Sequence, residues 1–334
     1  MKAIQFRRLG GPDVLELVEL PDPTPDAGQL LVRVASAAVN FADTTRRRGD
    51  AYPDLPTPLP FVLGAEVAGT VVALGPGVEG PAVGTTVFGF AGTGEGGYAE
   101  LAIMSAGSAI PIPDTVSTDT AAGMVVGGLS AALILSEAGN LKAGETVFVP
   151  AAAGGLGAYA VQIAKVLGAT VIAGAGTEDK RQIALGYGAD HVISYTGEGW
   201  DKRVLDLTDG RGVDLALEMT DPAHLVETAE VLAPFGRLIA YGAAAGRSEA
   251  MGPRRVEALM YDPGDGRSLA GFNLTKWLEL RQSEAFAALK RLIGWVAEGK
   301  LAGPAITALP LEKAIEAHTL LDTGQNKGKV VLNP

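Results

Sequence analysis

The chain opens with short apolar runs broken by Gly and Pro. Residues 2–6 (KAIQF) and 14–20 have strand length, and Pro21, Pro23 and Pro25 then interrupt the pattern. In residues 30–39, Val32 and Val34 alternate at the period of a strand. Residues 61–74 read as a glycine-punctuated strand pair, and 83–90 and 98–104 continue the rhythm. Many short strands between turn residues predict a small barrel for residues 1–122.

After Ile110-Pro111-Ile112-Pro113 the pattern changes. Residues 117–138 read as helical, with Ser117 or Asp119 as the cap. Strand 147–149 precedes helix 158–167, Gly168 stands where a helix C-terminus needs it, and strand 170–173 follows. Helix 179–188 leads to strand 191–194, helix 200–207 to strand 213–218, and helix 223–233 to strand 236–241. Such alternation predicts a doubly wound α/β domain with a mostly parallel sheet. Residues 251–268 read as a loop and 269–272 as an added edge strand. In helix 283–298, Phe286, Leu289, Ile293 and Val296 share a face. Helix 311–321 and strand 328–332 close the pattern.

At 334 residues, the chain suits two domains, and 47% hydrophobic content supplies the cores. No apolar run is long enough to span a bilayer, and MKAIQFRRLGG is not a secretory signal, so the expected location is the cytoplasm. The net charge of −11 argues against a nucleic-acid partner. The one basic cluster, Arg46-Arg47-Arg48, reads as a solvated helix turn or, alternatively, as an attraction for an anionic substrate or cofactor phosphate. With no cysteine in the chain, disulfides, thiolate catalysis and cysteine-ligated zinc are excluded. The three histidines, His191, His224 and His318, have no metal-ligand spacing and read as surface or capping residues.

The candidate chemistry lies in residues 146–177: strand, glycine turn, helix, strand. This is the layout of a dinucleotide-binding βαβ unit. Ala153, Gly154, Gly155, Leu156 and Gly157 stand where a pyrophosphate meets the helix N-terminus, with glycine permitting close backbone approach. NAD-specific units place an acid at the end of the second strand. Here that end reads Ala173-Gly174-Ala175-Gly176-Thr177, without one; Glu178, Asp179 and Lys180 follow. A missing acid plus a cation favours the 2′-phosphate of NADPH, provided the two carboxylates point away.

Five segments together carry a resemblance: VNFADTTRRRGDAYP at 39–53, LGAEVAGTVVALGPGV at 63–78, GGLSAALIL at 127–135, AAAGGLGAYAVQIAKVLGA at 151–169 and LEKAIEAHTLLDTGQNKGKVVL at 311–332. Over essentially its whole length the chain resembles the zinc-free, zeta-crystallin-like quinone oxidoreductases of the medium-chain dehydrogenase/reductase superfamily. The resemblance implies an α/β fold: a GroES-like β-barrel catalytic domain at 1–122 and 274–334, with a Rossmann doubly wound nucleotide-binding domain inserted at 123–273. Zinc-dependent members carry a histidine where this chain has Ala65.

The resemblance also implies roles. Asn40 and Ser130 would lie beside the nicotinamide and the reacting carbonyl; a neutral amide can donate to an oxygen that gains charge. Lys180 and Tyr195 would contact the 2′-phosphate of NADPH. Thr220, Tyr241, Gly242, Ala243, Phe272 and Asn273 would line the nucleotide groove. Lys327 and Lys329 receive no role. Many relatives carry tyrosine where Thr45 stands, which removes an aromatic contact to a quinone ring. The implied activity is hydride transfer from NADPH to a quinone or other conjugated carbonyl, in a homodimer. Reduction of 2-alkenals or enoyl thioesters, and dinucleotide binding with little catalysis, remain as alternatives.

Overall fold

A computed structural model of the chain describes residues 1–50, 57–219, 222–242 and 266–334. Two compact units share it. The first comprises Met1–Gly127, Leu289–Gly299 and Pro304–Pro334, and the second Gly128–Ala288 with Lys300–Gly303.

The first unit opens with β1 (Lys2–Phe6), β2 (Glu16–Glu19), β3 (Gln29–Val39), β4 (Phe61–Val62), β5 (Glu66–Leu74), β6 (Thr86–Phe90), β7 (Leu101–Ser105) and β8 (Ile110–Pro111). Residues 61–74 do not form a pair with each other. β4 joins β1 and β5 joins β3, in different sheets. The chain turns between them at Gly64, whose φ is +102°. A Cβ there would stand 2.6 Å from the Tyr98 backbone nitrogen, so the turn requires glycine.

The second unit contains β9 (Thr146–Val149), β10 (Thr170–Gly174), β11 (His191–Ile193), β12 (Val213–Glu218), β13 (Leu232–Tyr241) and β14 (Ser268–Phe272). Every pairing is parallel, in the order β11-β10-β9-β12-β13-β14. This is the doubly wound order, whose chain reversal sits beside β9. β9 and β10 are almost wholly buried apolar residues, as parallel strands covered on both faces require.

Residues 117–138 are not one helix. They form Thr118–Ala122, capped by Ser117, then Gly127–Leu133, then a π-helical turn, Ile134–Ala138. Gly123, Gly127 and Gly128 weaken a continuous helix. The helix after β9 begins at Gly155, earlier than its apolar spacing suggests, and runs to Val166.

The first unit is completed by β15 (Ile306–Pro310) and β16 (Lys329–Asn333). Its larger sheet has the order β15-β16-β3-β5-β6-β8, with β7 also on β3. Its core includes Phe6, Leu30, Val32, Val67, Tyr98, Met104 and Val330. β16 thus lies inside a sheet whose earliest strand is β3.

Candidate functional site

In the first unit, antiparallel register brings three polar residues together. β16 pairs with β3 at Val330↔Val39, and β3 with β5 at Ala38↔Glu66. Asn40, Glu66 and Lys329 stand at or just beyond these strand ends. The Asn40 Nδ2 donates to Glu66 Oε1 at 2.8 Å. The Lys329 Nζ donates to Asn40 Oδ1 at 2.6 Å and to Glu66 Oε1 at 2.5 Å. The other Glu66 oxygen accepts from the Val126 N–H. All three side chains are buried. Lys329, given no role by the sequence, is therefore central to this cluster. The available signal was a lone charge in an apolar run, both in GKVVL and in LGAEVAG.

Asn40 also precedes the helix Phe41–Arg48, and its N–H donates to Asp43 Oδ2 at 2.8 Å. Tyr98 Oη donates to the same oxygen at 2.9 Å. Burial raises the Asp43 carboxyl to about 6 against the pull of these two donors. Burial and the neighbouring Asp43 also push the Tyr98 phenol upward. Thr45 is buried and its hydroxyl donates to the Ala42 carbonyl.

Two readings of the basic helix and the histidines are corrected. Arg47 is 0% exposed rather than solvated. It donates to the Gly10 carbonyl, to His318 Nδ1 at 3.0 Å and to Asp322 Oδ2 at 2.5 Å. His318 is likewise fully buried, neither a surface nor a capping residue. Its partners come from the far end of the chain, beyond any local pattern. Among the described residues, no group of three or more His, Cys, Asp or Glu is placed to hold a metal.

In the second unit, Gly154 is the N-cap of Gly155–Val166 and supplies no capping side chain. The first N–H groups of such a helix have no partner within it and carry the positive end of its dipole. At Gly157 a Cβ would meet the Ala151 carbonyl at 2.3 Å and Ala152 Cα at 2.8 Å. The turn is held closed by contact between backbones, and its N–H groups fit an anion. Ala153 is buried beneath it.

At the end of β10, Gly174 packs under the Tyr195 ring, where a Cβ would come within 3.1 Å. Thr177 caps the helix Glu178–Gly186 by accepting from the Lys180 N–H. The Glu178 carboxylate turns to Gln182 and Arg181, which hold it below its usual range. Beside it lies a cavity of about 630 Å³ lined by Arg181, Ser194, Thr196 and Arg203 and also by Glu178 and Glu198. Arg203 Nη2 donates to the Ser194 carbonyl, while its Nε is buried without a partner among the described residues. Neither arginine was singled out from the sequence, because nothing local tells a helix-surface arginine from one facing a cavity.

Ser130 is buried on Gly127–Leu133. Tyr195 packs against His224, and burial raises its phenol. Tyr241 ends β13; its hydroxyl is buried without a partner among the described residues. Gly242 follows with φ +63°. Phe272 stacks on Trp277, and Asn273 caps the helix Leu274–Leu280. Thr220 and Ala243 lie outside the described residues.

Two family descriptions match the chain: an alcohol dehydrogenase GroES-like domain over residues 26–114 and a zinc-binding dehydrogenase over residues 155–288. The 2-haloacrylate reductase of a Burkholderia species is 32% identical over 335 residues, covering 99% of this chain and 98% of that protein. The solved structure of Escherichia coli quinone oxidoreductase complexed with NADPH superposes with a TM-score of 0.91 at 28% identity, covering 100% of both chains. The chain belongs to the quinone oxidoreductase group of the medium-chain dehydrogenase/reductase superfamily. The first unit carries the family's GroES-like fold and the second its Rossmann fold. A further relative is a much larger protein. A phenolphthiocerol/phthiocerol polyketide synthase of Mycobacterium tuberculosis is 33% identical over 334 residues, which are 99% of this chain, and the chain spans 15% of its length.

Proposed function

We propose that this chain is a zinc-independent, NADPH-dependent oxidoreductase that reduces a quinone or another conjugated carbonyl compound. The observation that carries this reading is the uncapped helix N-terminus at Gly154–Gly157, whose backbone would hold the pyrophosphate. Lys180, with Arg181 and Arg203 of the neighbouring cavity, would hold the 2′-phosphate, the Glu178 carboxylate being turned onto Arg181 and Gln182. When bound, the cofactor supplies the hydride. Asn40 would donate a hydrogen bond to the carbonyl oxygen that gains charge, and Ser130 would help orient the reacting group. Zinc independence is supported by the absent cysteines, by Ala65, and by the Lys329 ammonium that already neutralises Glu66. We take 1–122 with 274–334 as the catalytic domain and 123–273 as the nucleotide domain. A homodimer would extend the second unit's sheet at the exposed strand β14.

Thr45 favours a second reading. Its hydroxyl is engaged by its own helix and no aromatic ring stands there, so a flat quinone has less to stack on. Enals, haloacrylates or enoyl thioesters then become acceptors of equal standing, the Burkholderia relative being named a 2-haloacrylate reductase.

The test follows absorbance at 340 nm with NADPH or NADH against 1,4-benzoquinone, trans-2-hexenal and crotonyl-CoA. The proposal expects turnover with NADPH and a marked loss with NADH. Turnover with enals alone selects the second reading. Tight NADPH binding without any turnover supports a binding protein. Lys180→Ala and Arg203→Ala are expected to weaken NADPH at least tenfold relative to NADH; unchanged preference removes the phosphate pocket.

A further inference from the structure

We propose that Lys329 is a positioning residue that locks the Asn40 side-chain amide in one orientation and so presents an Asn40 N–H to the acceptor. The inference rests on Asn40 being the group that contacts the acceptor oxygen.

An asparagine amide is nearly symmetric in shape, and its oxygen and nitrogen ends differ only in what they bond. At Asn40 both ends face a full charge. The oxygen accepts from the Lys329 ammonium at 2.6 Å, and the nitrogen donates to the Glu66 carboxylate at 2.8 Å. Reversal would turn the NH₂ group onto an ammonium and the carbonyl onto a carboxylate. Both new contacts would be repulsive, in a setting where Asn40 is 9%, Lys329 4% and Glu66 0% exposed.

This orientation leaves one proton of Asn40 Nδ2 without an acceptor among the described residues. The ammonium on Oδ1 also withdraws electron density from the amide, which strengthens the remaining N–H as a donor. Lys329 and Glu66 form a compact neutral pair, anchored by the Val126 N–H on Glu66 Oε2. Such a buried pair is rarely needed for stability, because apolar replacements are often neutral or better. A role in holding Asn40 accounts for its presence.

The test is a double-mutant cycle. Asn40→Ala, Lys329→Met and their combination are compared for kcat and for the KM of NADPH, using whichever of benzoquinone, hexenal or crotonyl-CoA turns over best. Lys329→Met is expected to lower kcat about tenfold to hundredfold, less than the roughly hundredfold to thousandfold of a donor removed outright. The KM for NADPH should change little, and Lys329→Met should cost nothing further in the Asn40→Ala background. Equal losses in both backgrounds overturn the proposal. Full activity in Asn40→Ala overturns the Asn40 reading itself and is distinguishable from failure of Lys329 alone.

Should Lys329→Met leave Glu66 unpaired and unfold the chain, Lys329→Met with Glu66→Gln removes the buried charge and serves in its place. A readout independent of turnover is proton exchange of the Asn40 side-chain amide, by asparagine-selective ¹⁵N labelling. It is expected to quicken at least tenfold in the Lys329 variant as the amide is released. Unchanged exchange overturns the proposal even if no acceptor is reduced.

Discussion

Arg47 Nη1 lies 3.0 Å from His318 Nδ1, with both side chains shut off from solvent. A guanidinium only donates, so His318 accepts at Nδ1 and carries its proton at Nε2. Burial first, and then the Arg47 charge, lower the imidazole from 6.5 to about 3. The folded protein therefore refuses a proton that the unfolded chain accepts. The stability this contributes is fully present above pH 6.5 and is lost as pH falls toward 3, about 5 kcal/mol across that window. His318→Gln, which can accept from Arg47 but does not titrate, is expected to flatten the acid limb. Chemical denaturation at pH 4 and pH 7 checks this, and equal pH dependence in the two proteins would refute it.

Asp43 acts with the opposite sign. Its carboxyl rises from 3.8 to about 6 in the folded state, chiefly through burial. Between those values the folded protein holds the proton more tightly than the unfolded chain. The contribution is present at the acid end and is lost as pH rises through 6, about 3 kcal/mol in all. Asp43→Asn should remove this slope while leaving the His318 slope intact. Urea unfolding from pH 4 to pH 7 should show the variant gaining on the wild type as pH rises. A constant difference between them would show that Asp43 does not titrate in this window.

Gly157 and Gly294 make a contrasting pair. A Cβ at Gly157 meets backbone atoms at 2.3 and 2.8 Å, so Gly157→Ala must open the turn. It should weaken NADPH binding at least tenfold, because the displaced N–H groups are those proposed to hold the pyrophosphate. Gly294 lies within the helix Gln282–Ala297 with nothing inside 4 Å of an added Cβ. Gly294→Ala should raise stability by about 0.5–1 kcal/mol without touching the cofactor. Fluorescence titration and thermal melts on the two variants separate these outcomes.

The second unit was the more legible of the two from sequence. Its strands announce themselves as buried apolar runs, and β9, the glycine turn and β10 fall where the pattern puts them. The start of the intervening helix was missed because Gly155-Leu156-Gly157 reads as turn by propensity, yet forms the helix's first residues. In the first unit, the strands were legible and their partners were not. Nothing in residues 61–74 reveals that β4 and β5 enter different sheets; Gly64 and its contact with Tyr98 decide that. The buried charges were the least legible part. Arg46-Arg47-Arg48 looks uniformly wet, and only His318 and Asp322, about 270 residues away, draw Arg47 inside. Lys329 is hidden for a related reason. β16 is covered on both faces, so alternation gives no hint of which side its charge meets.

The placement of β16 bears on how the protein is made. A ribosome that has released residues 1–310 has delivered β1 to β15, yet β3 still lacks the neighbour that carries Lys329 and joins it to β15. Glu66 then waits beside Asn40 with its carboxylate lacking the ammonium partner. The proposed acceptor site comes into being only once Lys329–Asn333 have emerged. Synthesis halted just before Lys329 would keep the entire second unit and lose the residue proposed to orient Asn40.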